Sequence, residues 1–181
     1  MNTKVMILID DAPEVEGLVF RHFAGEGDYP LMHSILVKCQ KADEDDFAEP
    51  LEAMIHYYDH LVNCDLEKDM IMVEINGEMV GYGRGWWRKE DNSVEGEAYN
   101  YSHFANLLPE YRGKGIRKAM MRWTEKALHR YIDQHPAGKP KFFQTYSSDK
   151  KTILNKSLEE IGYKAVRFGI EMLRPIDAPL P

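Results

Sequence analysis

The fold class predicted is α/β (α+β): a mixed, mostly antiparallel central sheet of about six to seven strands with helices on both faces. Three observations carry it. Residues 70–75 and 78–88 are two strand-like runs joined by Asn76-Gly77, a pair suited to the positive φ angles of a type I′ hairpin. A third long strand follows and ends at Pro109, so these strands form a meander. The order then changes to helix, strand, helix, strand, and a β–α–β crossover adds parallel pairing to the antiparallel part.

Each element has its own local reason. Residues 18–23 (LVFRHF) are short and apolar and stop at Gly25-Glu26-Gly27, which marks a strand and its turn. Asp28 is the expected N-cap of a first helix, with Pro30 in its first turn and Leu31, Ile35 and Cys39 recurring at helical spacing. The acidic run 43–46 reads as a solvated connection. Pro50 opens a second helix whose stripe is Leu51, Met54, Ile55, Tyr58, Leu61 and Val62. After the hairpin, the polar stretch 89–93 turns the chain into the third long strand, which reaches Leu108. A helix then runs from Gly113 to about His135 with Ile116, Met120, Trp123, Ala127 and Tyr131 inward. Residues 141–146 form a strand, Ser148 caps a helix through Ile161, Gly162 sits at its left-handed end, and residues 163–173 are extended.

The chain has 181 residues, which predicts one folded domain over residues 18–174, with 1–17 as an extension and 175–181 as a Pro-rich tail. Thirty acidic residues against 23 Lys and Arg leave a net charge of −7, which argues against nucleic acid as a partner. Two cysteines, Cys39 and Cys64, lack a paired spacing and predict a reducing, cytoplasmic setting. The apolar run 5–9 is too short for a signal peptide or a membrane span.

The chemistry is expected in residues 107–121, LLPEYRGKGIRKAMM. Gly113 and Gly115 let backbone approach a ligand, and the start of a helix offers unpaired N–H groups. With Arg112, Lys114, Arg117 and Lys118 these make a phosphate or diphosphate site; a glycine turn before a solvated basic helix is the alternative. The pattern is neither a P-loop nor a dinucleotide fingerprint. Along the preceding strand, period-two alternation puts Glu95, Glu97, Tyr99, Tyr101 and His103 on one face, unless a bulge intervenes. His56 and His60 stand four apart, but no third ligand accompanies them and no metal is expected. Gly81, Gly83 and Gly85 share a face, which predicts close packing under a helix.

The element order and the string PEYRGKGIRKAM resemble the GNAT superfamily of acyl-CoA-dependent N-acyltransferases. Its acyl-CoA motif, Gln/Arg-x-x-Gly-x-Gly/Ala, is filled by Arg112 and Gly115, while Arg117 departs from the small third residue. The resemblance implies an N-acetyltransferase that moves an acetyl group from acetyl-CoA to a primary amine of a small molecule or protein, a cationic acceptor, by direct attack in a ternary complex. A non-catalytic GNAT-like domain binding acyl-CoA or a partner domain is the alternative. It implies that backbone amides of Gly113, Lys114, Gly115, Ile116, Arg117 and Lys118 hold the diphosphate. Asn106, Leu107 and Leu108 would pair with the pantetheine arm, an N–H near Leu107 or Leu108 steadying the oxyanion. Tyr101 fills the slot of the family's strand glutamate, and Glu97 and His103 are the candidate bases. LEEIGY matches the family's Tyr-x-x-x-Gly-Phe pattern except that Leu158 replaces the Tyr, which leaves Tyr146 as a substitute proton donor. The proline-rich end resembles the junction in tandem-domain members, implying a second GNAT domain or a homodimer as partner.

Overall fold

The computed structural model describes residues 4–45, 49–92 and 96–169. Six strands form one sheet in the order β1 (Met6–Ile7), β2 (Leu18–Arg21), β3 (Met70–Ile75), β4 (Glu78–Asn92), β5 (Gly96–Leu107) and β6 (Lys141–Gln144). Every neighbouring pair is antiparallel except β5 with β6, which run parallel. The helices are α1 (Tyr29–Asp43), α2 (Leu51–Asp59), the single turn α3 (Leu66–Asp69), α4 (Ile116–Ile132) and α5 (Thr152–Glu160). This is the mixed sheet predicted, and the N-terminal segment joins it through β1.

Strand alternation places the helices. Arg84 of β4 contacts Tyr57 and Tyr58 of α2, while a Cβ on the next residue, Gly85, would meet Thr124 and Leu128 of α4. Neighbouring strand residues face opposite ways, so α2 and α4 cover opposite faces. All six residues of β3 are buried between them. The hairpin turn has φ of 51° at Asn76 and 82° at Gly77, the positive pair a type I′ turn requires.

Several expectations give way to long-range contacts. Asp28 caps nothing by its side chain; its two oxygens take the guanidinium of buried Arg21 at 2.7 and 2.8 Å, and Glu74 takes Arg21 Nε at 2.6 Å. Residue 43 ends α1 and pairs with Arg112 instead of being solvated, while Asp45 pairs with Lys151 at 2.5 Å; Asp46 lies outside the described residues. α2 stops at Asp59, so Val62 is exposed. β4 continues through the polar stretch to Asn92, and residues 93–95 lie outside the described residues. α4 begins at Ile116, and α5 is preceded by Lys151, not Ser148. Gly162 has φ of 97°, as expected. Residues 163–169 pair with no strand, and 170–181, with the tail, lie outside the described residues.

The three glycines of β4 are close-approach positions. A Cβ on Gly85 would lie 2.8 Å from Thr124 Cγ2 and 3.0 Å from Leu128 Cγ, and one on Gly83 would lie 2.7 Å from the Phe104 carbonyl oxygen. Gly85→Val should therefore force α4 off the sheet and lower stability by about 1–3 kcal/mol. A denaturation midpoint equal to that of the parent chain would show that α4 has room to spare.

Candidate functional site

The junction between β5 and α4 is built from backbone geometry that few side chains tolerate. After Leu107 the chain makes a 3-10 turn over Pro109–Tyr111, and Gly113 and Gly115 take left-handed φ angles of 77° and 82°. A Cβ on Gly113 would meet nothing, whereas one on Gly115 would touch Pro13 at 3.4 Å. Gly115 precedes α4 without any side chain capping the helix. Helix geometry leaves the N–H groups of Ile116, Arg117 and Lys118 without an intrahelical acceptor; Ala119 N–H donates to Gly115 O at 3.1 Å. A cavity of about 310 Å³ opens here, between Arg112, Gly113, Gly115, Arg117 and Lys118 on one side and Ile153, Lys156, Ser157 and Glu160 around α5 on the other.

The four expected cations divide into different roles. The Arg112 guanidinium pairs with both oxygens of Asp43, and its Nε donates to the Leu107 carbonyl at 3.0 Å. Arg112 therefore lines the cavity as a tie between α1, β5 and the loop. Lys118 pairs with Glu160 across the cavity, and Lys114 lies 5.3 Å from the centre of the Tyr111 ring. Arg117 differs: its Nε is buried with no hydrogen-bond partner. Burial, and then repulsion from Arg112, disfavour its charged form. An anion in the cavity would relieve both penalties.

The edge of β5 opens next to this loop. Pairing with β6 covers Tyr99 to Ser102 and ends there, while β5 continues to Leu107. Tyr99 N–H donates to Pro140 O on the β6 side, and Leu108 N–H donates to Val80 O on the β4 side. Backbone groups two residues apart point the same way in such a ladder. His103 C=O and the N–H and C=O groups of Ala105 and Leu107 therefore face the space that β6 vacates, while His103 N–H closes the last pair with β6. Asn106 and Leu108 face β4 instead. The Leu107 carbonyl is already taken by Arg112 Nε and by the Cys39 thiol, 3.3 Å away.

The register of β4 with β5 is continuous from Gly81↔Leu107 to Asn92↔Gly96, so the alternation along β5 holds without a bulge. It does not bring the candidate bases together. Glu97 lies at the far end of β5, roughly 33 Å of strand from Leu107, and pairs with Lys89 and Lys139. Tyr101 is buried, its hydroxyl 2.6 Å from His135 Nδ1. Tyr146 is exposed and its oxygen accepts from Arg88 at 3.0 Å and Gln144 at 3.1 Å. Leu158 is buried, in keeping with a core position.

His103 stands where β5 and β6 separate and is 1% exposed. Its Nε2 lies 2.5 Å from the Tyr163 hydroxyl, which donates to Glu125 Oε1 at 2.5 Å. Since that hydroxyl has one proton and gives it to Glu125, Nε2 is the protonated nitrogen of His103. Nδ1 is then left with a bare lone pair, and it is buried without a partner. Burial pulls the imidazole pKa down to about 4, holding it neutral. Burial raises Glu125, and burial with the Glu125 charge raises the Tyr163 phenol. Sequence reasoning reached neither partner. Tyr163 carried a signal, as the aromatic that closes LEEIGY, but Glu125 carried none.

Among the described residues no group of three His, Cys, Asp or Glu could hold a metal ion, and no helix is long and apolar enough to cross a membrane. The His60 ring bonds the His56 carbonyl at 2.7 Å.

A sequence model of the acetyltransferase (GNAT) family matches residues 31–135, more than half of the chain. No curated protein matches it by sequence. A GCN5-related N-acetyltransferase from Sphaerobacter thermophilus is structurally similar, with 22% identity and a TM-score of 0.69; the match covers 86% of this chain but 45% of that one. The protein yncA from Salmonella typhimurium, solved with its cofactor acetyl-CoA, matches at 15% identity and a TM-score of 0.62 over 88% of each chain. Glucosamine-6-phosphate N-acetyltransferase from Arabidopsis thaliana matches at 13% identity and 0.54, over 90% of this chain and 100% of that one. The chain thus spans less than half the length of the Sphaerobacter protein.

Proposed function

Because the chain belongs to the acetyltransferase (GNAT) family, we propose that it transfers an acetyl group from acetyl-CoA to a primary amine by direct attack in a ternary complex. The observation that carries this reading is the uncapped start of α4, flanked by two left-handed glycines and by Arg117 with its unpartnered Nε, on a cavity of about 310 Å³. Those donors fit a diphosphate. The open edge of β5 fits an extended amide-bearing arm, which would pair with Leu107 N–H and the Ala105 C=O. Acetyl-CoA supplies an activated thioester carbonyl. The arm runs back along β5 from the loop, so its thioester lies beyond Leu107, and Ala105 N–H is the donor we assign to the developing oxyanion.

Attack by the amine nitrogen forms the C–N bond, the C–S bond breaks to release coenzyme A as its thiolate, which takes a proton from solvent, and the amine gives up one proton. His103 Nδ1 is the acceptor we assign to that proton, with Tyr163 and Glu125 fixing the imidazole tautomer and opposing the new positive charge. Glu97, Tyr101 and Tyr146 have no part in this reading, because none of them reaches the open edge. The two free thiols, Cys39 and Cys64, support a reducing, cytoplasmic setting.

Titration calorimetry with acetyl-CoA and with inorganic phosphate, followed by thiol release against a panel of amines, tests the reading. Acetyl-CoA should bind, phosphate should not compete at millimolar concentration, and thiol release should depend on an amine. Binding without release would favour the non-catalytic domain, which the loss of the family's tyrosine at Leu158 also favours. Equal affinity for phosphate would make the loop a general anion site.

A further inference from the structure

We infer that the acceptor amine also carries a carboxylate, and that Arg84 anchors it on the face of the sheet opposite α4. The inference rests on the acetyltransferase reading and names the substrate class for it. Arg84 is 3% exposed. Its Nη2 donates to the Tyr57 hydroxyl at 2.9 Å, while Nε and Nη1 are buried without any partner. Four aromatic rings surround the guanidinium: Trp86 at 4.9 Å from Cζ to centroid, Tyr57 and Tyr58 at 5.1 Å each, and Phe104 at 5.7 Å.

Cation–π contacts offset part of the desolvation of such a group, yet N–H groups buried without acceptors are costly to keep. The same fold handles another buried arginine differently: Arg21 is met by Asp28 and Glu74. Among the described residues no carboxylate pairs with Arg84, so the missing acceptor is one that arrives from outside. A single guanidinium with apolar walls suits a planar monoanion, because the Nε–Nη2 edge matches the two oxygens of a carboxylate. The Tyr57 oxygen holds Nη2 of that edge now. Tyr57 is 53% exposed on α2, so its side chain can withdraw into solvent and yield the edge to a ligand.

The position suits an acceptor. Arg84 is opposite Phe104 in the β4–β5 register, and Phe104 lies just beyond Ser102, where β6 leaves β5. A thioester reaching the open edge from the α4 side would meet an amine held from the α2 side. The separation across neighbouring strands is about 5 Å, comparable to the reach of an amino acid.

The test uses the full chain and matched acceptors, L-amino acids and their carboxamides, which differ in the carboxylate. Acetyl transfer is read as kcat/KM, and binding of each acceptor by calorimetry, with acetyl-CoA affinity measured in parallel. The acids should be preferred at least tenfold, and Arg84→Gln should abolish the preference by raising KM for the acids. Tyr57→Phe, which removes the competing hydroxyl and keeps the ring, should strengthen acid binding and serves if Arg84→Gln does not fold. Amides equal to acids across the panel, or a preference that survives Arg84→Gln, would overturn the inference while leaving acetyl transfer intact. Absence of turnover with every amine would sink the acetyltransferase reading instead. In that case calorimetry decides on Arg84: acids that bind the parent chain and not Arg84→Gln uphold the anchor, and acids that bind neither overturn it.

Discussion

Gly115→Asp should weaken acetyl-CoA binding roughly a hundredfold, or ~2.7 kcal/mol, with a smaller effect on folding. The residue holds φ at 82° and its Cβ position faces Pro13 at 3.4 Å, so a side chain costs about 1–2 kcal/mol of left-handed strain. That strain is partly offset, because aspartate ahead of a helix accepts from first-turn N–H groups. Those are the groups the proposed site needs for the diphosphate, and the new carboxylate both occupies them and repels the ligand. Calorimetry should show the loss while circular dichroism shows a folded chain. An unchanged dissociation constant in a folded variant would take α4 out of the site.

His103→Gln should lower kcat by about 10²–10⁴-fold and leave acetyl-CoA affinity within a few-fold. Glutamine keeps a polar group near Tyr163 but has no basic lone pair. Tyr163→Phe should cost less, since it frees the imidazole tautomer without removing the base. The pH dependence carries its own sign. Burial lowers His103 from 6.5 to about 4, so the neutral form persists well into acid, and its contribution to the rate is lost only as pH falls through about 4. The stabilisation from keeping it neutral is fully present above about 6.5 and fades as pH drops towards about 4. A kcat profile whose acid limb sits near 6.5 would remove His103 from the reaction.

What could be read beforehand was local. Asn76-Gly77 sets its own turn, and Gly113 and Gly115 mark a backbone path whatever surrounds them. The Arg112–Asp43 pair joins residues 69 positions apart, and no spacing rule reaches that far; seen locally, both are ordinary surface charges. Glu97 illustrates a different limit. Alternation correctly places it on the face of His103, but a period of two says which side of a sheet a residue takes and nothing about its distance from the loop. Arg84 did leave a trace, a charge alternating with glycines on a face shared with Tyr82 and Trp86, which reads equally well as a solvent-facing position until the rings of α2 are known to cover it.

Cys39 has a chemical consequence. A thiolate close to an activated acyl group captures it by exchange and holds it as a dead-end adduct. At Cys39 burial outweighs the help of Arg112 and pushes the thiol up, and its proton is directed at the Leu107 carbonyl. The sulfur is thereby kept inert beside the strand end, and iodoacetamide should leave it unlabelled in the native chain for as long as α1 stays docked.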